Sequence, residues 1–391
     1  MRLLLLDIGA YTWDDIKCTL RKNNVTFKEL HYCFDDKNTD DFFTEYFEQI
    51  LQAEHFDAVF TVNYFPLVAI SCHKFHIKYL SWSYDNPLNV ERIEDTLFFE
   101  TNYVFLFDRI QTENYQKQGF QTVFHLPLAV NPSRLSSIQL SSAETEYYGS
   151  DISFVGSLYK TLFAELVNLL PDYDRGFLKA AADTQLCVYG GYFLDTLLTE
   201  DILNRINSQF AAHTQKLNPA SPDILQLSKK QLEYTVAAYT TRLERMMILG
   251  LLSKHYQLKL YSRENSQFLP YAQYMGTASY LRQMPKIFAS SRLNLNITLK
   301  ISQSGIPLRA LDIMGCGGTL FSNYQHELNE WFVPDLDFIM YQSIEDTYDK
   351  AAFYLSHENI QQKIALNGKQ KVFNNFSYDI QLKKLFQASG F

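Results

Sequence analysis

Cysteine is scarce and badly placed for cross-linking. Cys18, Cys33, Cys72, Cys187 and Cys316 are odd in number, far apart and never form Cys-x-x-Cys. That pattern speaks against a disulfide framework and a zinc knuckle, and leaves reduced, buried thiols as the expectation. No apolar run approaches the ~18 residues that a membrane-spanning helix needs; the stretch 246–252 is only long enough for a core helix. The first six residues start like a signal peptide but run into Asp7 and Gly9 without a small-residue cleavage site. A buried first strand and a cytoplasmic location are therefore expected. Positive charge is short as well, with 35 Lys+Arg against 43 Asp+Glu and a net charge of −8. Lys229-Lys230 and Lys383-Lys384 stay isolated pairs, so the basic stripe of a duplex nucleic-acid binder is missing. Gly-x-x-x-x-Gly-Lys-Ser/Thr does not occur, which argues against a P-loop hydrolase.

What is present is enough apolar material for a large core. Hydrophobic residues make up 47% and charged residues 20% of 391, which excludes wholesale disorder and suggests two or three domains. Aromatics reach 15%, explained by core filling. The first 130 residues alternate strand and helix patterns. Strands are expected at 2–6, 25–32, 57–62, 77–82, 103–107 and 122–125, with helical spacing from 12, over 40–53 and from 63. Alternation at this pitch implies a parallel sheet with helices on both faces and ligands at the strands' C-terminal edge. Residues 127–150 read as a linker, and 151–157 restart the pattern with a strand and a glycine turn. A helix-rich segment, polar over 216–230, fills 162–254. Strands follow at 257–261, 292–297 and 318–322, with helices at 306–314, 345–357, 359–373 and 378–386. No repeat or low-complexity tract is evident.

Several motifs are explained without a ligand. Asp172-Tyr173-Asp174 and Asp335-Leu336-Asp337 could chelate a metal, but neither sits at a strand end and such triplets arise by chance. His73 and His76 have helical spacing and no third ligand nearby, so a surface pair and no metal site is expected. Three segments carry more. Gly156 and Ser157 stand at a strand-to-helix turn suited to a diphosphate. Tyr84-Asp85-Asn86-Pro87 follows a strand, where an Asx-turn is the plain alternative. Asn294–Thr298 leads to Ser304-Gly305-Ile306-Pro307-Leu308-Arg309-Ala310-Leu311-Asp312 and a Gly-rich exit, a layout suited to a polyanion.

Segment 292–332 resembles the donor-binding segment of retaining glycosyltransferases with the GT-B fold, in the glycogen-synthase-like group. It is most similar to the bacterial spore-maturation CgeB-like branch, through Leu-Asn-x-Asn-Ile-Thr, Ser-Gly-Ile-Pro-Leu-Arg and Gly-Cys-Gly-Gly. Residues 154–159 and 284–288 share the likeness, and the turn 84–87 does so more loosely. The resemblance implies an α/β chain of two Rossmann-like lobes with parallel sheets facing a cleft. An acceptor-side domain would span 1–135. A nucleotide-sugar-binding domain would span 151–375, with a helical insertion at 162–254, and a final helix at 376–391 would return to the first lobe. The function implied is sugar transfer from a nucleotide-sugar, a substrate and not a cofactor, to a glycan, lipid-linked or protein acceptor. Donor contacts would come from Gly156, Ser157, Lys160, Arg263, Asn296, Thr298, Ser304, Gly305, Ile306 and Asp312. Asp85 and Arg309 would act on the reacting groups, Tyr84 and Asn86 on the acceptor side. The family has two glutamates separated by seven residues; Asp312 matches the second, and the first falls on Ser304, which carries no charge. A catalytically silent GT-B protein that binds a glycan or partner, and a nucleotide-sugar epimerase, are the rival readings.

Overall fold

The computed structural model describes every residue except 35, 89, 91, 218–225 and 266. Part of the polar stretch read at 216–230 therefore lies outside the described residues. The chain divides into two compact units.

The first unit comprises 1–139, 304–316 and 367–391. Its sheet contains β1 (Arg2–Asp7), β2 (Thr26–His31), β3 (Ala58–Val62), β4 (Lys78–Ser83), β5 (Asn102–Leu106) and β6 (Val123–His125). They pair in parallel in the order β2-β1-β3-β4-β5-β6. Strand β1 is apolar at every inner position because helices cover both sides of it. Leu4 and Leu6 join the core beneath the helices Asp41–Ala53 and Pro66–Lys74, with Phe43, Phe47 and Val68. Leu3 and Leu5 are equally buried, and on β3 Phe60 packs edge-on against Trp13 of the helix Trp13–Lys22. The last helix, Tyr378–Ala388, is tied in by Lys22 on Asp379 (2.8 Å) and Tyr378 against Trp82.

The second unit comprises 140–303 and 317–366. Its sheet contains β7 (Ile152–Val155), β8 (Leu258–Tyr261), β9 (Gln273–Gly276), β10 (Leu293–Asn296), β11 (Leu320–Asn323) and β12 (Ile339–Tyr341). The order is β12-β11-β10-β7-β8-β9, again parallel throughout. The helices between β7 and β8 build their own core around Phe163, Leu178, Ile206 and Val236.

Three expectations are corrected. The linker 127–150 carries the helices Pro132–Ser136 and Ser142–Tyr148, the latter closed by a Ser141–Glu144 capping box. Segment 304–316, read as part of the second half, is grouped with the first sheet, because Ser304 and Gly305 bond to Asp108 and Gly315 lies against Leu135. Of the thiols expected to be buried, only Cys72 and Cys316 are; Cys18, Cys33 and Cys187 are exposed. Among the described residues no helix is long and apolar enough to cross a membrane.

Candidate active site

Each sheet changes strand order beside its first strand, between β1 and β3 in one unit and between β7 and β10 in the other. The loops leaving those strands diverge there, and the crevice beyond their C-terminal ends is where such sheets take ligands.

In the first unit, Asn63 follows β3 with a left-handed backbone (φ 68°), which asparagine tolerates. Its side-chain carbonyl accepts the backbone N–H groups of Tyr84 (2.7 Å) and Asp85 (3.2 Å), and its amide donates to the Asp85 carboxylate at 2.8 Å. The turn after β4 is thus held through a neighbouring strand. Asp85 reaches the surface, yet the desolvating protein around it lifts its carboxyl above the ordinary aspartate value, with Lys37 opposing. The hydroxyls of Tyr84 and Tyr378 lie 3.1 Å apart, and Asn86 donates to Asp108 at 2.9 Å. Ser304 is wholly buried, donating its hydroxyl to Asp108 (2.9 Å) and accepting from the Ile110 N–H (3.1 Å). Ile306 is buried too. The helix Leu308–Gly315 then presents a half-buried Arg309 and a buried Asp312. Tyr11, in the loop after β1, has its phenol raised by desolvation, then by Asp312, against an opposing Arg309 and with Asp85 adding. Three chain segments, the loop after β1, the turn after β4 and this helix, therefore interact electrostatically at one end of this sheet.

In the second unit, a residue absent from the sequence reading organises the switch point. Arg245, on the helix Lys229–Ser253, is buried and donates to the carbonyls of Ser157 and Ile297, the exits of β7 and β10. Its guanidinium also lies 4.5 Å from the centre of the Tyr159 ring and 5.2 Å from that of Phe154. Glu264 fixes the same loop, accepting the Ser157 hydroxyl (2.7 Å) and the Lys160 N–H (3.0 Å). Lys160 and Arg263 are exposed here. Asn296 is buried and spent on Thr298 (3.1 Å) and Ser322 (2.9 Å), while the Thr298 N–H donates to Asn323 at 2.9 Å.

The amides of two glycines expected among the donor contacts are engaged: Gly156 donates to the Tyr261 carbonyl (2.9 Å) and Gly305 to Asp108 (3.2 Å). The Asp-x-Asp triplets are locally employed as well. Asp174 is paired with Arg205 at 2.7 Å, and Asp335 accepts from the Tyr354 hydroxyl at 2.7 Å.

Residues 242–387 match a family model described as glycosyl transferase-like. No curated protein matches the chain. Among solved structures, sucrose-phosphate synthase from Thermosynechococcus elongatus aligns with a TM-score of 0.56 at 10% identity, covering 99% of this chain and 98% of its own. HepE of Anabaena, in complex with UDP and glucose, gives 0.53 at 9%, covering 100% of both chains. A glycosyltransferase from Rickettsia africae gives 0.52 at 12%, covering 99% and 97%. The fold is GT-B.

Within this GT-B chain, the structure brings Asp85, Arg309 and Asp312 to one end of the first sheet, where Tyr11 was not foreseen. Gly156, Ser157, Lys160, Arg263, Asn296 and Thr298 lie at the strand ends of the second. Tyr84, Asn86, Ser304 and Ile306 are spent on packing and internal hydrogen bonds. Asn63 and Arg245 went unread. A residue between a strand and Tyr-Phe-Pro could have flagged Asn63; nothing in a helix of this length singles out one arginine.

Proposed function

We propose that the protein is a retaining glycosyltransferase of the CgeB-like branch. It would move a sugar from a nucleotide-sugar to a glycan, lipid-linked or protein acceptor without a metal ion. The observation that carries this reading is the coincidence of two matches. The chain shares its fold, over its full length, with proteins such as HepE, known in complex with UDP-glucose, and a glycosyl transferase-like model covers 242–387. In the reaction the bond from the anomeric carbon to the diphosphate oxygen breaks and a bond to an acceptor oxygen forms. The acceptor's proton leaves, and negative charge grows on the departing diphosphate. With the Gly305 amide engaged, that charge falls to a side-chain cation of the same segment, Arg309. Asp312 is the acceptor for ribose hydroxyls, and Asp85 the polar group beside the reacting sugar.

A second reading is favoured by one observation: Ser304, at the place of the family's first acid, is uncharged and wholly buried. A catalytically silent GT-B protein would bind nucleotide or glycan without turnover. Release of nucleoside diphosphate from a panel of nucleotide-sugars, with EDTA present, separates the two. Release that persists in EDTA supports a metal-independent transferase. Release abolished by EDTA and restored by Mn²⁺ or Mg²⁺ would return the Asp-x-Asp triplets to consideration. Binding without release would favour the silent protein.

A further inference from the structure

Asp108 is wholly buried, yet its carboxylate accepts hydrogen bonds from three separate stretches of the first unit. One oxygen takes the Gln111 N–H (3.0 Å) and the Ser304 hydroxyl (2.9 Å). The other takes the N–H groups of Ser304 (3.0 Å) and Gly305 (3.2 Å) and the Asn86 amide (2.9 Å). Capping the helix Arg109–Lys117 needs only the first of these, and serine or asparagine would serve there. The remaining four bonds join the turn that bears Asp85 to the segment that leads into Arg309 and Asp312. A carboxylate can do this because it only accepts, over about four lone-pair directions. A second, independent contact locks the same place. A Cβ on Gly305 would sit 2.6 Å from the Phe107 ring and 2.8 Å from the Phe107 carbonyl, so residue 305 is pressed against the end of β5.

We infer that Asp108 is a positioning residue, which through Ser304 and Gly305 sets the helix bearing Arg309 and Asp312 against the turn bearing Asp85. The inference rests on the proposed function for its consequence, ligand affinity, but not for the positioning itself. Asp108→Asn keeps the shape and the cap. It replaces one accepting oxygen by an N–H₂ group facing other donors, so at least one bond to Ser304, Gly305 or Asn86 becomes repulsive. Ser304→Ala removes one bond and should be the milder change. Asp40→Asn is the control, a buried cap of the helix Asp41–Ala53 that accepts the Phe43 N–H at 2.8 Å and touches none of these segments.

The experiment screens the wild type with UDP, GDP, ADP, CDP and TDP, then titrates the responding nucleotide into the three variants and the double variant. Asp108→Asn should weaken binding tenfold or more and Ser304→Ala about threefold, with the double variant no worse than Asp108→Asn alone. Asp40→Asn should lower the melting temperature while leaving affinity within twofold. Wild-type affinity in Asp108→Asn would overturn the inference, and if that variant fails to fold, wild-type affinity in Ser304→Ala would do so. A wild type that binds no nucleotide sinks the proposed function instead. Hydrogen exchange then tests the positioning, since Asp108→Asn or Ser304→Ala must speed exchange over 304–312 and Asp40→Asn must not. Unchanged exchange in both would overturn it.

Discussion

At the scale of single residues, Asp85 shows how function and stability pull apart. Its carboxyl is raised by desolvation, so the folded chain holds the proton more readily than the unfolded one. Stability therefore falls as pH climbs from the ordinary aspartate value, about 3.9, through the raised one. Asp85→Asn removes that cost and can keep the bond from Asn63. Its melting temperature at pH 7 should equal or exceed that of the wild type, and the difference should close in acid. If Asp85 stands beside the reacting sugar, turnover falls about tenfold or more while nucleotide affinity holds. Unchanged turnover with a lower melting temperature would make it a turn residue. Asp312 poses a complementary question. As the ribose acceptor, its replacement by Ala should weaken nucleotide binding by ~10–150-fold, whereas Glu should retain part of it. A 2′,3′-dideoxy nucleotide should bind wild type and Asp312→Ala alike; losses that add in the titration would contradict the contact. Asp312 stood out as a candidate because its neighbours follow a known motif. Asp108 did not, because its partner Ser304 lies 196 residues away.

At the scale of elements, strands were legible where burial on both faces forced a continuous apolar run, as in Leu3–Leu6, or a nearly continuous one, as in Ala58–Val62 with only Thr61 polar. Strands β9 and β12 were not, being short and, in β9, largely exposed with tyrosine and glycine. The helix Ser142–Tyr148 was hidden by its polarity although its capping box was written in the sequence. Polar strand residues misled in another way. Asn294 and Asn296 suggested ligand contacts, but Asn294 is spent on Ser153 (2.7 Å) and Phe288 (3.1 Å), deep in the sheet. Arg245 is the element-scale test, since it joins the ends of two strands from a helix. Lysine has the charge but not the fork that reaches both carbonyls. Arg245→Lys should cost roughly 2–3 kcal/mol in urea unfolding and speed hydrogen exchange over 156–160. A change below about 0.5 kcal/mol, the usual size for a surface substitution, would show that the two strand exits do not depend on it.

At the scale of the molecule, two parallel six-stranded sheets each present polar and charged groups where their strand order reverses. That repetition followed from the sequence, because strand-helix alternation restarts after residue 150. The division into units followed in part: the return of the final helix to the first lobe was implied by the resemblance, whereas 304–316 joins the first sheet through contacts that no local pattern records. The central claim is that this GT-B chain binds a nucleotide-sugar. The measurement that tests it most directly is the melting temperature against a panel of nucleoside diphosphates and their sugars. A ligand at ~100 times its dissociation constant adds ~2.7 kcal/mol, a rise of roughly 5–10 °C for units of about this size. The account predicts that rise for one nucleotide base above the others, shared by the free diphosphate and its sugar conjugate. A melt that no member of the panel moves would contradict it.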